Sequence, residues 1–152
     1  MSIEAGLIAY LKTKPGVTDL AGSGAAYRIR ADFLEESDIQ TGPSAVVMNA
    51  GNNPTAFMGG VANTSSVTLT VDCWASTPAD AKGLANAIAN VTNGFPCLGG
   101  KAGLMGDQVV RSCFAKVVDV PPEIAPDLRE LNMYGRRVEL RMMVEESSPT
   151  FV

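Results

Sequence analysis

Residues 66–91, SVTLTVDCWASTPADAKGLANAIANV, carry two hydrophobic periods back to back. From Val67 to Ala75 the apolar side chains recur at every second position. Val67, Leu69, Val71, Cys73 and Ala75 share one face, and Thr68, Thr70, Asp72 and Ser76 share the other. Such alternation predicts a strand over 66–76 in an antiparallel sheet that is covered on one side. Beyond it the period lengthens. Thr77 can cap a helix, Pro78 suits its first turn, and Asp80 stands three residues after the cap. Ala81, Leu84, Ala85, Ile88 and Val91 then form a stripe at helical spacing, closed by Asn93-Gly94. This helix, about 77–93, should lie across the covered face. Trp74 interrupts the polar face of the strand, so it meets either a further layer of its own chain or a neighbouring subunit.

Outward from this unit, Ser2 can cap a helix through about Lys12 with Ile3, Leu7, Ile8 and Leu11 on one face, and Pro15-Gly16 should stop it. YRIRA (27–31) reads as a short strand, DFLEESDIQTGP (32–43) as an acidic connection and SAVVMNAG (44–51) as a strand. QVVRSCFAKVV (108–118) and RRVELRMMVE (136–145) complete the set. The last of these alternates Val138, Leu140, Met142 and Val144 against Arg137, Glu139, Arg141 and Glu145, with Met143 as the exception. Between them DVPPEIAPDLRELNMYG (119–135) is held extended by Pro121, Pro122 and Pro126 and reads as a structured arm. The fold class expected is α+β: a mainly antiparallel sheet of four to five strands with the 77–93 helix and an N-terminal helix packed on it, in a single domain spanning 1–152.

AGNNPTAFMGGVANTSS (50–66) joins two of those strands and is far longer than a turn of two to five residues. It predicts a long β-hairpin arm at about 51–65. Phe57, Met58 and Val61 stand at its middle; they either supply contact area to a neighbour, with Asn52-Asn53 and Gly59-Gly60 letting the arm order on assembly, or fold back on the chain's own core.

Composition narrows the functional classes. The 152 residues are 46% hydrophobic and 18% charged, a globular balance. No apolar run approaches the roughly 18 residues of a membrane span, and MSIEAGLIAYLK lacks a basic leader, so a soluble cytoplasmic protein is expected. The formal net charge of -4 argues against tight nucleic-acid binding. Cys73, Cys97 and Cys113 show no metal-type spacing and read as buried free thiols.

Catalysis has little to work with. The chain has no histidine, which removes the commonest general base near neutral pH and every Ser-His or Cys-His nucleophile. Glu35-Glu36 and Glu145-Glu146 are sequence neighbours that point apart or lie in solvated loops. LGGKAGLMG (98–106) is glycine-rich, but Lys101 is followed by Ala102 rather than Ser or Thr, so a flexible connection is the better reading than a phosphate loop. No cofactor or metal is expected.

The run from SVTLTVD through the Thr-Pro cap into the Ala-rich helix resembles the small tail-completion, or tail-terminator, proteins of long-tailed bacteriophages. PDLRELNMYGRRVELRMMV is similar to that family's closing pattern of acidic loop, aromatic residue and final alternating strand. The opening helix followed by KPGVTDLAG and YRIRA fits as well. The resemblance implies a structural virion protein located in the tail or neck and assembled in the host cytoplasm. It would form a homo-oligomeric ring, typically a hexamer, that terminates the tail tube. Its partners would be the tail tube protein and a head connector or stopper protein, with genomic DNA passing through the lumen unbound and no membrane involved. No catalytic residues are carried over. On this reading Asn52, Asn53, Phe57, Met58, Val61, Trp74, Arg136 and Arg137 are interface candidates. Arg28, Arg30, Arg136, Arg137 and Arg141 could pair across subunits with Asp32, Glu35, Glu36 and Asp38, and acidic side chains would line the lumen. Another neck protein, a head-completion or connector ring, would show the same strands and arms; a small-molecule binding module or an enzyme would need a pocket with convergent polar groups.

Overall fold

The computed structural model describes residues 2–57, 60–96 and 102–145, with 52–57 and 60–64 described as backbone only. Six strands form one sheet in the order β1-β2-β3-β6-β5-β4. They are β1 (Ile29–Ala31), β2 (Ser44–Phe57), β3 (Gly60–Ala75), β4 (Gly103–Met105), β5 (Gln108–Asp119) and β6 (Tyr134–Glu145). Only β1 runs parallel to its neighbour; every other pairing is antiparallel. The fold is α+β, as the alternation predicts. The strand count is six rather than four to five. The additional strand, β4, lies in the stretch expected to be a flexible connection, and a two-residue turn joins it to β5. Gly106 opens that turn at φ 61°, a conformation that glycine adopts without a steric penalty.

Among the described residues five α-helices accompany the sheet, α1 (Ile3–Lys12), α2 (Pro15–Ala21), α3 (Glu36–Thr41), α4 (Pro78–Thr92) and α5 (Pro126–Glu130), with a 3-10 turn at Gly24–Ala26. Ser2 caps α1 by accepting from the Ala5 amide, and Thr77 caps α4 by accepting from the Asp80 amide. Pro15 does not end the helical region. It opens α2, where its missing N–H falls among those a first turn leaves unused. The acidic connection also contains a helix, because Glu35 and Asp38 form a reciprocal capping box at the start of α3.

The core lies on one face of the sheet, under α1, α2 and α4. Val67, Leu69, Val71, Cys73 and Ala75 of β3 and Val138, Leu140, Met142 and Val144 of β6 are all buried there. Ala81, Leu84, Ala85 and Ile88 of α4 pack onto them. Val91 is only half-buried; Thr92 takes the last inward position and donates its hydroxyl to the Ile88 carbonyl at 2.7 Å. Each fully buried Leu or Ile contributes about 1.5–3 kcal/mol. Tyr10 and Tyr27 bury their rings beside this core and send their hydroxyls to the Val91 and Ile8 carbonyls. Cys73 and Cys113 are buried free thiols. Burial pushes the Cys113 thiol up to about 12 and raises Cys73 as well, so both stay protonated and unreactive at neutral pH. Cys97 and Lys101 lie outside the described residues.

Among the described residues the opposite face is covered at one end only. Residues 119–135, expected to stand out as an arm, fold back onto the sheet instead, with Val120 buried and α5 above β3. Trp74, 1% exposed, lies beneath them. The Arg129 guanidinium sits 5.8 Å from its ring and donates to the Val120 and Pro121 carbonyls at 3.0 and 3.2 Å. Gly135 crosses the ring's other edge so closely that a Cβ there would come within 2.8 Å of the indole. Of the two settings open to Trp74, its own chain provides the layer.

Candidate assembly surfaces

The hairpin arm is a continuation of the sheet. β2 and β3 stay paired from Ser44↔Trp74 out to Phe57↔Gly60. β1 pairs with β2 as far as Val47, and β6 pairs with β3 as far as Thr64↔Glu145, so beyond these positions the ribbon is two-stranded among the described residues. From Met48 onward the outer edge of β2 has no neighbouring strand among the described residues. That edge is broken twice, by register shifts between Asn49 and Gly51 and between Pro54 and Ala56. At the first shift the Asn49 side chain accepts from the Gly51 amide at 2.9 Å. Pro54 removes one donor from the edge. Ser65, where the ribbon leaves the core, buries a hydroxyl that has no partner among the described residues.

A second feature lies at the other end of the same two strands. The 32–39 and 124–131 segments flank a cleft of about 570 Å³ floored by Val46, Met48, Asp72 and Trp74. Its walls are largely apolar, with Ile39, Ile124 and Leu128 inside and Phe33 and Leu131 at the rim. Those last two are 68% and 66% exposed. Asp72, itself buried, is held by a two-pronged contact from Arg137, Nε to Oδ1 at 2.7 Å and Nη2 to Oδ2 at 3.0 Å. These hydrogen bonds raise the Arg137 pKa further above its ordinary value. The pair faces itself across the β3–β6 register, Asp72↔Arg137, and fixes that register from the outer side.

The floor's distal continuation is bare. Phe114, 66% exposed, lies opposite Arg141, and Lys116 lies opposite Glu139. This half of the outer face is mixed in charge and has no layer above it among the described residues.

The predicted interface residues therefore separate. Asn52, Asn53, Phe57 and Val61 lie on the distal ribbon, where the backbone is described; Met58 lies outside the described residues. Trp74 and Arg137 are engaged inside the subunit. Arg136 is at the surface, paired with Asp119, which is 85% exposed, an arrangement worth about 0–1 kcal/mol. Four of the arginines considered for inter-subunit ion pairs, Arg28, Arg30, Arg136 and Arg137, make contacts within the chain. Arg28 donates to the Leu20, Ala26 and Pro43 carbonyls, and Arg30 grips Asp38 at 3.0 and 3.1 Å with Glu35 3.9 Å away. Burial alone would raise the Asp38 pKa. The Arg30 hydrogen bonds and the Glu35 amide outweigh it and hold the carboxyl below its usual range. The cleft itself has no signature in the sequence, because its walls come from two segments that meet only in the fold.

No helix among the described residues is long and apolar enough to cross a membrane. No protein-family profile matches the chain, and no curated protein matches it. Among solved structures, the chain is similar to one from the virion of a native gene transfer agent particle. The TM-score is 0.60 at 16% identity, over 95% of both chains. That likeness is one of fold, and it runs from end to end.

Proposed function

We propose that this protein is a structural component of a phage-like virion, a ring-forming subunit that ends the tail tube and joins it to the head. The observation that carries the proposal is the end-to-end likeness in fold to a chain of the gene transfer agent virion, which leaves neither chain with a large unmatched part. The tail-terminator resemblance in the sequence supports the finer position. A closed ring needs two unlike faces on each subunit, joined by rotation. The distal ribbon and the partly covered outer face are two such surfaces.

In this reading the ring is a hexamer seated on the last layer of tail tube protein, and its far surface receives a connector or stopper protein. The work of the protein is contact rather than catalysis. Phe57, Met58 and Val61 on the arm supply apolar area, Asn52 and Asn53 supply amide hydrogen bonds, and Arg136 adds a charge at the surface. Carboxylates facing the lumen repel DNA phosphates, so the genome slides without being held.

The test is the mass and shape of the purified chain, by light scattering and electron microscopy, alone and mixed with tail tubes. Rings that cap one end of the tubes are expected. A chain that stays monomeric under every condition and ignores the tubes would overturn the proposal. Rings that bind only the head side would move the protein to head completion.

A further inference from the structure

We infer that the hairpin tip of one copy seats in the apolar cleft beside Trp74 of the next copy; this rests on the ring reading and names the contact that closes the ring. Three observations lead there. The first is geometric. The cleft floor, at Val46 and Trp74, and the tip, at Phe57 and Gly60, are opposite ends of the same paired strands, about 35 Å apart along β2 at the usual rise per residue. A ribbon of this kind cannot fold its own tip back into its own floor. Contact between tip and cleft is therefore between copies, and because the two surfaces differ it is head-to-tail, the kind that generates rings.

The second observation is charge. Asp32, Glu36 and Asp127 line the cleft, and none of them is ion-paired among the described residues. Such a rim repels segments that carry carboxylates, and the chain as a whole is net negative. From Ile39 to Val71, by contrast, no residue carries a charge. The sequence of this neutral stretch includes Phe57, Met58 and Val61, and beyond Val47 the outer edge of β2 has no neighbouring strand among the described residues; amide donors are good partners for carboxylates.

The third observation is size. A cleft of about 570 Å³ is in the range that takes one compact group of side chains, which suits the end of a two-stranded ribbon.

The experiment uses two variants of the full chain. Leu131→Asp spoils the cleft rim at an exposed position, and Phe57→Asp spoils the tip. Each should keep the circular dichroism of the parent and raise the concentration needed for assembly at least about tenfold. Mixed in equal amounts, they should give a species of twice the monomer mass and nothing larger, since the intact tip of the Leu131→Asp chain enters the intact cleft of the Phe57→Asp chain and the series ends there. Normal rings from Leu131→Asp, or a mixture that stays monomeric, would overturn the inference while leaving the parent's ring intact. Leu131→Asp rings that form but no longer dock on tubes would put the tail tube protein in the cleft instead, which also overturns it. Failure of the parent to form rings at all is a separate result, and it falls on the ring reading.

Discussion

At the Ser44/Trp74 end, the β2–β3 ribbon has helices on one face, α5 and its flanking loops on the other, and further strands on both edges. At the Phe57/Gly60 end it has neither neighbouring strand among the described residues. Both ends belong to the same two strands in a single continuous pairing. The difference lies in what completes them. The near end draws its stability from its own chain, through the buried indole and the Asp72–Arg137 pair. An isolated two-stranded ribbon is marginal in water, and in the proposed function contacts from outside the subunit complete the far end.

The contrast can be broken most directly at the far end. Replacing residues 52–63 by a two-residue Asn-Gly turn should abolish ring formation and tube capping in light scattering and electron microscopy, with little change in the midpoint of urea unfolding. Unchanged rings would show that the arm is not an assembly element. At the near end the expected effect is on stability. Trp74→Ala should cost about 3–5 kcal/mol in urea denaturation, since the cavity would open between the sheet and α5. A loss below about 1 kcal/mol would mean that α5 does not hold the indole as described.

The ion pair sharpens the same point. Asp72→Ala leaves the largely buried Arg137 guanidinium without its partner and should cost about 3 kcal/mol, whereas the double change Asp72→Leu with Arg137→Met should recover most of that loss. Equal losses in the single and double variants would assign the effect to packing rather than to the stranded charge. The smallest effect is expected at Asp38. Its folded pKa is depressed, so its contribution is complete above the ordinary aspartate value near 4 and fades as pH falls through the lower folded value. The stability gap between wild type and Asp38→Asn should therefore be full at neutral pH and close on acidification. A gap that stays constant with pH would rule out the Arg30 pairing as its source.

How much of this was legible in the sequence depended on the range of the interaction. β3, β6 and α4 could be read from periods and a cap because their faces are set by neighbours within a few residues. The stop before Pro15 was readable, since α1 ends at Lys12, but α2 was not, because proline both stops one helix and opens another and only the chain's path shows the second role. α3 was hidden because its cap is Glu35, an uncommon capping residue. The cleft and the covering of Trp74 could not be read at all. Residues 119–135 and Trp74 are separated by about a third of the chain, and nothing local to either says that Arg129 will lie on the indole. The same holds for Arg137. Its alternation marked it as outward-facing and available, and only the strand register shows Asp72 directly across from it.

The interruptions along the β2 edge carry a further consequence. A long, flat, uncharged strand edge is the usual template for stacking chain upon chain into cross-β fibres, and this edge has no lysine or glutamate to deter it. The two register shifts and the ring of Pro54 do that work, since they bend the ribbon and delete a donor where a second copy would have to align. A concentrated solution of the free subunit is thus protected from cross-β stacking, with indefinite fibre growth obstructed in the backbone itself.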